Sequence, residues 1–191
     1  MSLGPRASWP RESPRIEAGP FRLRPFDERD LPLVEEASRD PFIPLITTVP
    51  AVYTPEEAEA FLQRQRDRVA NREGYPCVIV DPAEARGIGA VGVWLRHADL
   101  GRASFGYWVA PSERGRSAAR LGLAALTVWT FATFGIPRLE LYVEPWNTAS
   151  IKTAEGAGFR REGLLRSWET VGSERRDMFM YSPLLATDPR T

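Results

Sequence analysis

A loop of small residues and arginines runs directly into a long apolar segment in the stretch APSERGRSAARLGLAALTVWTF, residues 110–131. The first turn of a helix presents backbone N–H groups that lack a partner within the helix, together with a partial positive charge. Small residues let a ligand approach this backbone, and arginines add charge-assisted hydrogen bonds suited to phosphate oxygens. The sequence therefore predicts either a pyrophosphate-binding cradle or a solvated loop that caps a core helix. The candidate cradle consists of Arg114, Gly115, Arg116, Ser117, Ala118 and Ala119, with Arg120 following it.

The other reactive residue types exclude several kinds of chemistry. The chain holds one histidine, His97, so neither a histidine-based catalytic triad nor a multi-histidine metal site is available. It holds one cysteine, Cys77, which excludes an internal disulfide and a cysteine-based metal cluster. We expect His97, beside a turn, to be solvated, and Cys77, within the apolar run YPCVIV, to be a buried and unreactive thiol. No metal cofactor is expected.

Length and charge bound the kind of protein. The 191 residues suffice for one compact domain with a sizeable core. Lys plus Arg and Asp plus Glu balance at 25 each, so the overall charge gives no reason to expect a nucleic-acid or membrane partner. No apolar run approaches the ~20 residues of a membrane span, and the first residues lack the apolar region of a signal peptide. A reducing cytoplasm is the expected location.

The hydrophobic pattern predicts the elements that would position these residues. Residues 1–19 are rich in Pro, Arg, Ser and Gly without periodicity and predict a flexible tail, with a second tail at 187–191. A strand is predicted over residues 21–26, followed by a helix. The next helix is expected to begin with Thr54 as its cap and to end at Gly74. Its buried face is predicted to consist of Ala58, Phe61, Leu62, Gln65 and Val69.

Strand-like runs dominate the middle of the chain. Residues 75–81, 85–97 and 101–111 predict an antiparallel meander. A helix from about 116 to 134 follows, apolar nearly all round and therefore predicted to be buried. A strand over 138–144, a short helix and a hairpin that turns at TVGS complete the chain. This order predicts an α+β domain, a sheet with helices on its faces.

The loop RGRSAA resembles the acyl-CoA pyrophosphate loop of the GNAT N-acetyltransferase superfamily. The pattern of that loop is Arg or Gln, two residues, Gly, one residue, and Gly or Ala. Arg114 matches the first position and Ala119 matches the last. Ser117 stands at the middle position, where the family usually has glycine. We expect a serine to adopt helical backbone angles there without strain.

The resemblance extends in order over residues 20–185. FRLRPFDERDLPLV resembles the opening strand and helix of the branch that acetylates ribosomal-protein N-termini, the RimJ/RimL-like enzymes. FGYWVAPSERGRSAA is similar to its central strand and loop, LELYVEPWNTASIKTAEGAGFRREGLLR to its Pro-x-Asn-x-x-Ser segment, helix and hairpin, and RRDMFMYS to its closing strand. The resemblance implies one GNAT domain at 20–186. Its sheet would be mixed and mostly antiparallel, with helices on both faces and a splayed acyl-CoA cleft.

The resemblance also implies roles on the acetyl-CoA side of the cleft. In that family the strand before the loop splays from its neighbour and the pantetheine arm lies in the gap. The resemblance therefore implies that the amides of the pantetheine arm pair with the backbone of Trp108, Val109 and Ala110. Packing is an alternative role for the Trp108 side chain. Asn147 matches a CoA-contacting asparagine, and N-capping alone would also explain it. Ser150 matches the proposed proton donor to the departing CoA thiolate, acting mostly through a hydrogen bond to the charge developing on sulfur.

Two glutamates are candidates for the base that accepts the proton of the amine. Glu169 aligns with the glutamate proposed as base in RimL-like enzymes, and its alternative is an exposed carboxylate at a hairpin tip. Glu144, at the end of a strand that enters the cleft, is the second candidate. Trp146 and Trp168 are candidates for the lining of the acceptor pocket.

The function implied is an acetyl-CoA-dependent N-acetyltransferase that transfers the acetyl group directly to a primary amine, with a protein or peptide N-terminus as the preferred acceptor. The alternative enzyme acetylates a small molecule, such as an amino acid, a polyamine or an aminoglycoside. The alternative from another class is a module that binds acyl-CoA without turnover, which Ser117 keeps open and Asn147 and Ser150 count against. A homodimer is a further expectation from the resemblance.

Overall fold

A computed structural model describes residues 8–183 of the chain. Its centre is an eight-stranded sheet in the order β1-β2-β3-β4-β5-β6-β8-β7. The strands are β1 (Ile16–Ala18), β2 (Phe21–Arg24), β3 (Gly74–Asp81), β4 (Arg86–Trp94), β5 (Arg102–Val109), β6 (Arg138–Val143), β7 (Phe159–Val171) and β8 (Glu174–Pro183). The helices are α1 (Leu31–Ser38), α2 (Ile43–Ile46), α3 (Pro55–Ala70), α4 (Ala118–Phe134) and α5 (Thr148–Gly156). The predicted α+β architecture is confirmed.

The sheet is antiparallel except at one pair of neighbours, and it opens there. β1 to β5 form the predicted antiparallel meander. β5 and β6 run parallel, and their pairing stops after Phe105 and Leu141. β5 then continues to Val109 while still paired with β4, and β6 continues to Val143 while paired with β8. The predicted splay is therefore a gap between β5 and β6.

Helices cover both faces of the sheet because successive strand residues point to opposite sides. In β3, Cys77 and Ile79 belong to the core on the face that α4 covers, together with Leu123 of that helix. Val78 and Val80 belong to a second core cluster with residues of α1, α2 and α3. Burial raises the pKa of the Cys77 thiol to about 12, so the prediction of an unreactive core cysteine is confirmed.

The N-terminal segment differs from its prediction. The predicted tail at 187–191, like residues 1–7, lies outside the described residues. For the rest of the N-terminal segment the predicted flexible tail is wrong. Trp9 is buried, with its ring edge-on to Phe134 at 5.1 Å, and Ile16–Ala18 pair with β2 as the edge strand. The composition of this N-terminal segment favours disorder, but a few of its apolar side chains attach it to the core.

The helix α3 follows the sequence prediction at its start but not at its end. The Thr54 hydroxyl accepts a hydrogen bond from the Glu57 N–H at 3.1 Å, and the five predicted positions are the buried ones. The helix ends at Ala70, whereas Gly74 already begins β3. The left-handed residue that turns the chain is Arg72, with φ 55°, so the predicted role of Gly74 as the stop is wrong.

The helix α4 is buried on one side only. It begins at Ala118 and packs Leu123 and Leu126 against the sheet. Val128, on the opposite side, is 70% exposed, so the predicted burial all round is wrong. The helix forms an outer layer on one face of the sheet. It therefore carries more apolar side chains than its buried face can hold.

The last two strands form the predicted hairpin, which turns at Gly172. Its turn lies beside α2, because a Cβ placed on Gly172 would be 3.5 Å from the Leu45 side chain. The hairpin turn and α2 therefore meet at the mouth of the gap between β5 and β6.

Candidate active site

A cavity of about 520 Å³ lies where β5 and β6 diverge. Phe26 and Phe61 line it from the face covered by α1 and α3, and Tyr107 lines it from the face covered by α4 and α5. The cavity therefore passes through the gap in the sheet. It is also lined by five residues that the sequence singled out, Trp108, Glu144, Asn147, Ser150 and Glu169.

The predicted phosphate loop lies at the N-terminus of α4. Ser117 is the N-cap residue, and its backbone is left-handed with φ 62° and ψ 14°. The expectation of helical angles is therefore wrong, and the loop turns at this position as it would with glycine. Gly115 is also left-handed, with φ 83°. Because the Ser117 side chain makes no capping hydrogen bond, the first N–H groups of α4 stay available to a ligand.

The two predicted phosphate-binding arginines are already paired with carboxylates. Arg114 Nη2 lies 2.5 Å from Asp40 Oδ2, which connects the loop to the segment after α1. Arg116 pairs with both Asp81 and Glu113, whose carboxylates are buried. These guanidinium groups hold the loop in place, and their positive charge is largely offset within the protein.

Arg120 differs from the other two arginines. Within residues 8–183, no hydrogen bond or ion pair of its guanidinium is found. Its stem packs on α5 so closely that a Cβ placed on Gly156 would lie 2.6 Å from Arg120 Cδ. Of the three arginines in the loop and the first turn of α4, Arg120 is the one whose charge is not offset by a described carboxylate.

Of the predicted pantetheine-pairing residues, Trp108 and Val109 lie at the end of β5, beyond its last pairing with β6, and Ala110 follows the strand. Trp108 is buried in the core beside α1 and α3, so a packing role is established for it. The Ala110 N–H donates to the Ile88 carbonyl at 3.0 Å, towards β4. The Val109 carbonyl accepts a hydrogen bond from Arg114 Nε at 3.3 Å. On the side that faces β6, this part of the strand has no strand partner.

The N-terminus of α5 brings a hydroxyl group to the gap. Asn147 Oδ1 accepts a hydrogen bond from the Ser150 N–H at 3.0 Å, so the predicted N-cap is confirmed. Ser150 Oγ lies 2.7 Å from Tyr107 Oη. The Tyr107 hydroxyl also donates a hydrogen bond to the Ser150 carbonyl at 3.0 Å. Desolvation raises the pKa of Tyr107 to about 12, so its hydroxyl keeps its proton at neutral pH.

The sequence predictions did not include Tyr107. The alternation of side chains between the two faces of β5 could have indicated the position of Tyr107. Trp108 packs towards α1 and α3, so its neighbour Tyr107 must point to the face that α5 covers. The sequence does not say that Ser150 lies under that position, since α5 is far along the chain.

Glu144 and Glu169 meet in the cavity. The Glu144 side chain is buried, and its Oε2 accepts a hydrogen bond from Trp146 Nε1 at 2.7 Å. Its Oε1 is buried without a hydrogen-bond partner among the described residues. Glu169 is exposed to solvent on β7, as its alternative interpretation expected. Desolvation and the negative charge of Glu144 nevertheless raise the pKa of Glu169, and the charges of Arg175 and Arg96 oppose this rise. A carboxylate with a raised pKa is a better proton acceptor than an ordinary glutamate.

The aromatic candidates lie at the rim of the cavity. Trp146 is 60% exposed and lies edge-on to Phe42 at 5.0 Å. Trp168 is 46% exposed and lies against Tyr142 at 5.5 Å. Phe42 and Tyr142 line the cavity, so the tryptophans support its wall from outside. His97 is exposed, as predicted.

Residues 8–183 contain no group of three or more His, Cys, Asp or Glu side chains placed to hold a metal ion. None of the helices in this part of the chain has the length and apolar character needed to cross a membrane.

Comparison with known proteins identifies the family. Residues 21–160 match the model of the acetyltransferase (GNAT) domain, and the chain belongs to this family. It is 34% identical over 97 residues to "Uncharacterized N-acetyltransferase p20" of Bacillus licheniformis, an alignment that covers 51% of this chain and 54% of p20. The chain spans between half and two thirds of the length of the curated relatives it matches, 54% and 64%.

Two solved structures are similar over most of the chain. RimJ of Mycobacterium smegmatis, in complex with CoA-disulfide, is 25% identical with a TM-score of 0.75, covering 92% of this chain and 87% of RimJ. RimL, a ribosomal L7/L12 α-N-protein acetyltransferase in complex with coenzyme A, is 19% identical with a TM-score of 0.76, covering 92% of this chain and 100% of RimL. The predicted resemblance to the RimJ/RimL-like branch is confirmed.

Proposed function

We propose that the protein is an acetyl-CoA-dependent N-acetyltransferase whose acceptor is the N-terminal amine of a peptide or protein. One observation carries the proposal. The unpaired edge of β5 leads directly to the uncapped N-terminus of α4, and two carboxylates and a hydroxyl line the same gap in the sheet. A peptide-like thioester and an amine would meet in this gap.

The residues on one side of the gap fit acetyl-CoA. When bound, acetyl-CoA supplies the acetyl group as a thioester. The backbone of Trp108, Val109 and Ala110 would pair with the amides of its arm in the way that a peptide adds to a sheet edge. The N–H groups at Ala118 and Ala119 would hold the pyrophosphate, and Arg120 has an unpaired charge for the same anion. Arg114 and Arg116 would act mainly by holding the loop, and Asn147 by holding α5.

Glu169 and Glu144 would prepare the amine. Attack on the thioester forms a C–N bond and breaks the C–S bond, so the nitrogen loses a proton and the sulfur leaves as a thiolate. Glu169, with its raised pKa, would accept that proton directly or through water. Glu144 would place a second negative charge close to Glu169, which favours the approach of a cationic amine to the gap.

Ser150 and Tyr107 would stabilise the leaving thiolate. The Ser150 hydroxyl would donate a hydrogen bond to the sulfur, and Tyr107 Oη lies 2.7 Å from Ser150 Oγ. The Tyr107 hydroxyl also donates to the Ser150 carbonyl at 3.0 Å, so the phenol holds this serine at the gap. Ser150 therefore serves as the donor at the reacting atoms, and Tyr107 positions it.

The choice of an N-terminal amine has a chemical reason. An α-amino group has a pKa of about 7.7–8 and a lysine about 10.4, so the α-amine loses its proton more readily to a carboxylate of moderately raised pKa. The mouth between α2 and the hairpin turn, with Trp146 and Trp168 at its rim, suits the end of an extended chain.

The test combines binding with turnover. Acetyl-CoA is titrated into the protein by calorimetry, and thiol release is then followed with short peptides whose N-termini are free or blocked. We expect micromolar binding and thiol release only with free N-termini. Binding without turnover on any amine would favour the non-catalytic module, and turnover on spermidine or free amino acids alone would favour the small-molecule enzyme. The absence of binding would refute the assignment of acetyl-CoA.

A further inference from the structure

We infer that the acceptor carries a carboxylate close to its amine, and that Arg68 and Arg96 bind this carboxylate on the acceptor side of the cavity. The inference rests on the proposed function and narrows its substrate class. It depends on two cavity-lining arginines that the proposed chemistry does not use.

Arg68 lies on the last turns of α3 and is held by neutral groups. Its Nη1 donates to Gln65 Oε1 at 2.6 Å and its Nη2 to Thr48 Oγ1 at 3.2 Å. Its guanidinium lies 4.9 Å from the centre of the Trp94 ring. Within residues 8–183, no carboxylate forms an ion pair with Arg68. The guanidinium is therefore fixed in position, while its charge has no counter-ion in direct contact.

Arg96, which follows β4, adds a second positive charge to the same wall. It makes no hydrogen bond or ion pair with any residue between 8 and 183. Burial, together with the positive charges of Arg64 and Arg96, lowers the pKa of Arg68, and only Glu73 opposes this effect. A half-buried cation among other cations is unfavourable unless an anion joins it. An acceptor with a carboxylate would supply that anion.

The two signs of charge are arranged for one bifunctional acceptor. Arg96 interacts electrostatically with both Arg68 and Glu169, so the cationic wall lies close to the proposed base. The carboxylates of Glu144 and Glu169 suit an amine, and the arginines suit a carboxylate beside it. The same arrangement disfavours polyamines and aminoglycosides, whose further positive charges would face Arg68.

Two sources could provide this carboxylate, the acidic side chain of a peptide's first residues or the α-carboxylate of a free amino acid. The experiment compares Ser-Glu and Ser-Gln peptides with amidated C-termini, and free serine and glutamate. We expect kcat/KM for Ser-Glu to exceed that for Ser-Gln by about tenfold or more, since hydrogen bonds to charged groups are the strong ones. Activity on the free amino acids with none on the peptides would assign the carboxylate to a small molecule.

Arg68→Gln and Arg96→Gln identify the groups responsible. Each should raise KM for Ser-Glu about tenfold and change the values for Ser-Gln by less than twofold. Arg66→Gln is the matched control, because Arg66 is exposed on the same helix and pairs with Glu28 and Glu59. Equal losses with both peptides, or no preference for an acidic acceptor in the unaltered protein, would overturn the inference.

Direct binding separates this inference from the proposed function. Ser-Glu and Ser-Gln peptides are titrated calorimetrically into the protein saturated with CoA, so that no turnover is needed. Tighter binding of Ser-Glu that depends on Arg68, without acetylation of any amine, would refute the transferase and support the carboxylate site. Acetylation of all the acceptors at equal rates would support the transferase and refute the site.

Discussion

Replacing Ser117 by glycine should stabilise the protein. Ser117 has φ 62° at the N-cap of α4, a conformation that costs an L-residue about 1–2 kcal/mol relative to glycine. Part of this gain is lost, because the greater conformational entropy of glycine stabilises the unfolded chain by about 0.4–1 kcal/mol. Ser117 is exposed and makes no capping hydrogen bond, so no contact is lost. The net gain is about 0–1.6 kcal/mol, with a midpoint of about 0.8 kcal/mol, or up to about 6 °C in Tm for a chain of this length.

The assay is thermal unfolding without ligand, followed by calorimetric titration with acetyl-CoA. Ser167→Gly is the matched control, because Ser167 is also exposed and left-handed, with φ 47°, but lies in β7. Both variants should raise Tm, and only Ser117→Gly should tighten acetyl-CoA binding. Gly115→Ala should lower Tm through its φ of 83° alone, since an added Cβ would meet no atom within 4 Å. A lower Tm for Ser117→Gly beside a higher one for Ser167→Gly would refute the backbone argument.

Three further outcomes are expected. Tyr107→Phe should lower kcat about tenfold, by loss of the hydroxyl that contacts both Ser150 Oγ and the Ser150 carbonyl, with an unchanged Kd for acetyl-CoA by calorimetry. Glu144→Gln removes the negative charge that helps to raise the pKa of Glu169, so the acid limb of the kcat/KM profile should move to lower pH. Arg116→Gln should raise the midpoint pH of acid unfolding. Arg116 holds the pKa of Asp81 below its usual range, which stabilises the fold above that range and ceases to do so as the pH falls.

Each outcome has a result that contradicts it. An unchanged kcat for Tyr107→Phe would mean that Ser150 is oriented without the phenol. An acid limb that stays in place in Glu144→Gln would assign the titration to a group other than Glu169. If Arg116→Gln unfolds in acid at the same pH as the unaltered protein, the Asp81 and Glu113 carboxylates draw their stabilisation from other partners.

The sequence predicted best those elements whose signal is local. The face of α3 follows from the 3.6-residue period of its apolar positions, and its start from Thr54, because both depend on residues within one helix. The mixed, mostly antiparallel sheet and its splayed cleft, which is the gap between β5 and β6, were implied by the resemblance. The register at Phe105 and Leu141 gives that gap its physical basis.

The sequence failed where a distant residue decides the structure. Residues 8–19 are ordered because they pack on the core around Phe134, and this contact cannot be inferred from their composition. The left-handed backbone of Ser117 belongs to the turn before α4, whereas the local sequence alone would equally allow a helical conformation at this position. The contact between Tyr107 and Ser150 joins residues 43 apart, and the pairing of Arg114 with Asp40 joins residues 74 apart. These pairings arise from the sheet topology.

The gap between β5 and β6 also bears on aggregation. An unpaired strand edge on the outside of a sheet invites pairing with another chain. Here the unpaired edge of β5 lies inside the sheet, with β4 on one side and β6 diverging on the other. The same recess that admits a ligand therefore shields its backbone groups from association between copies of the protein.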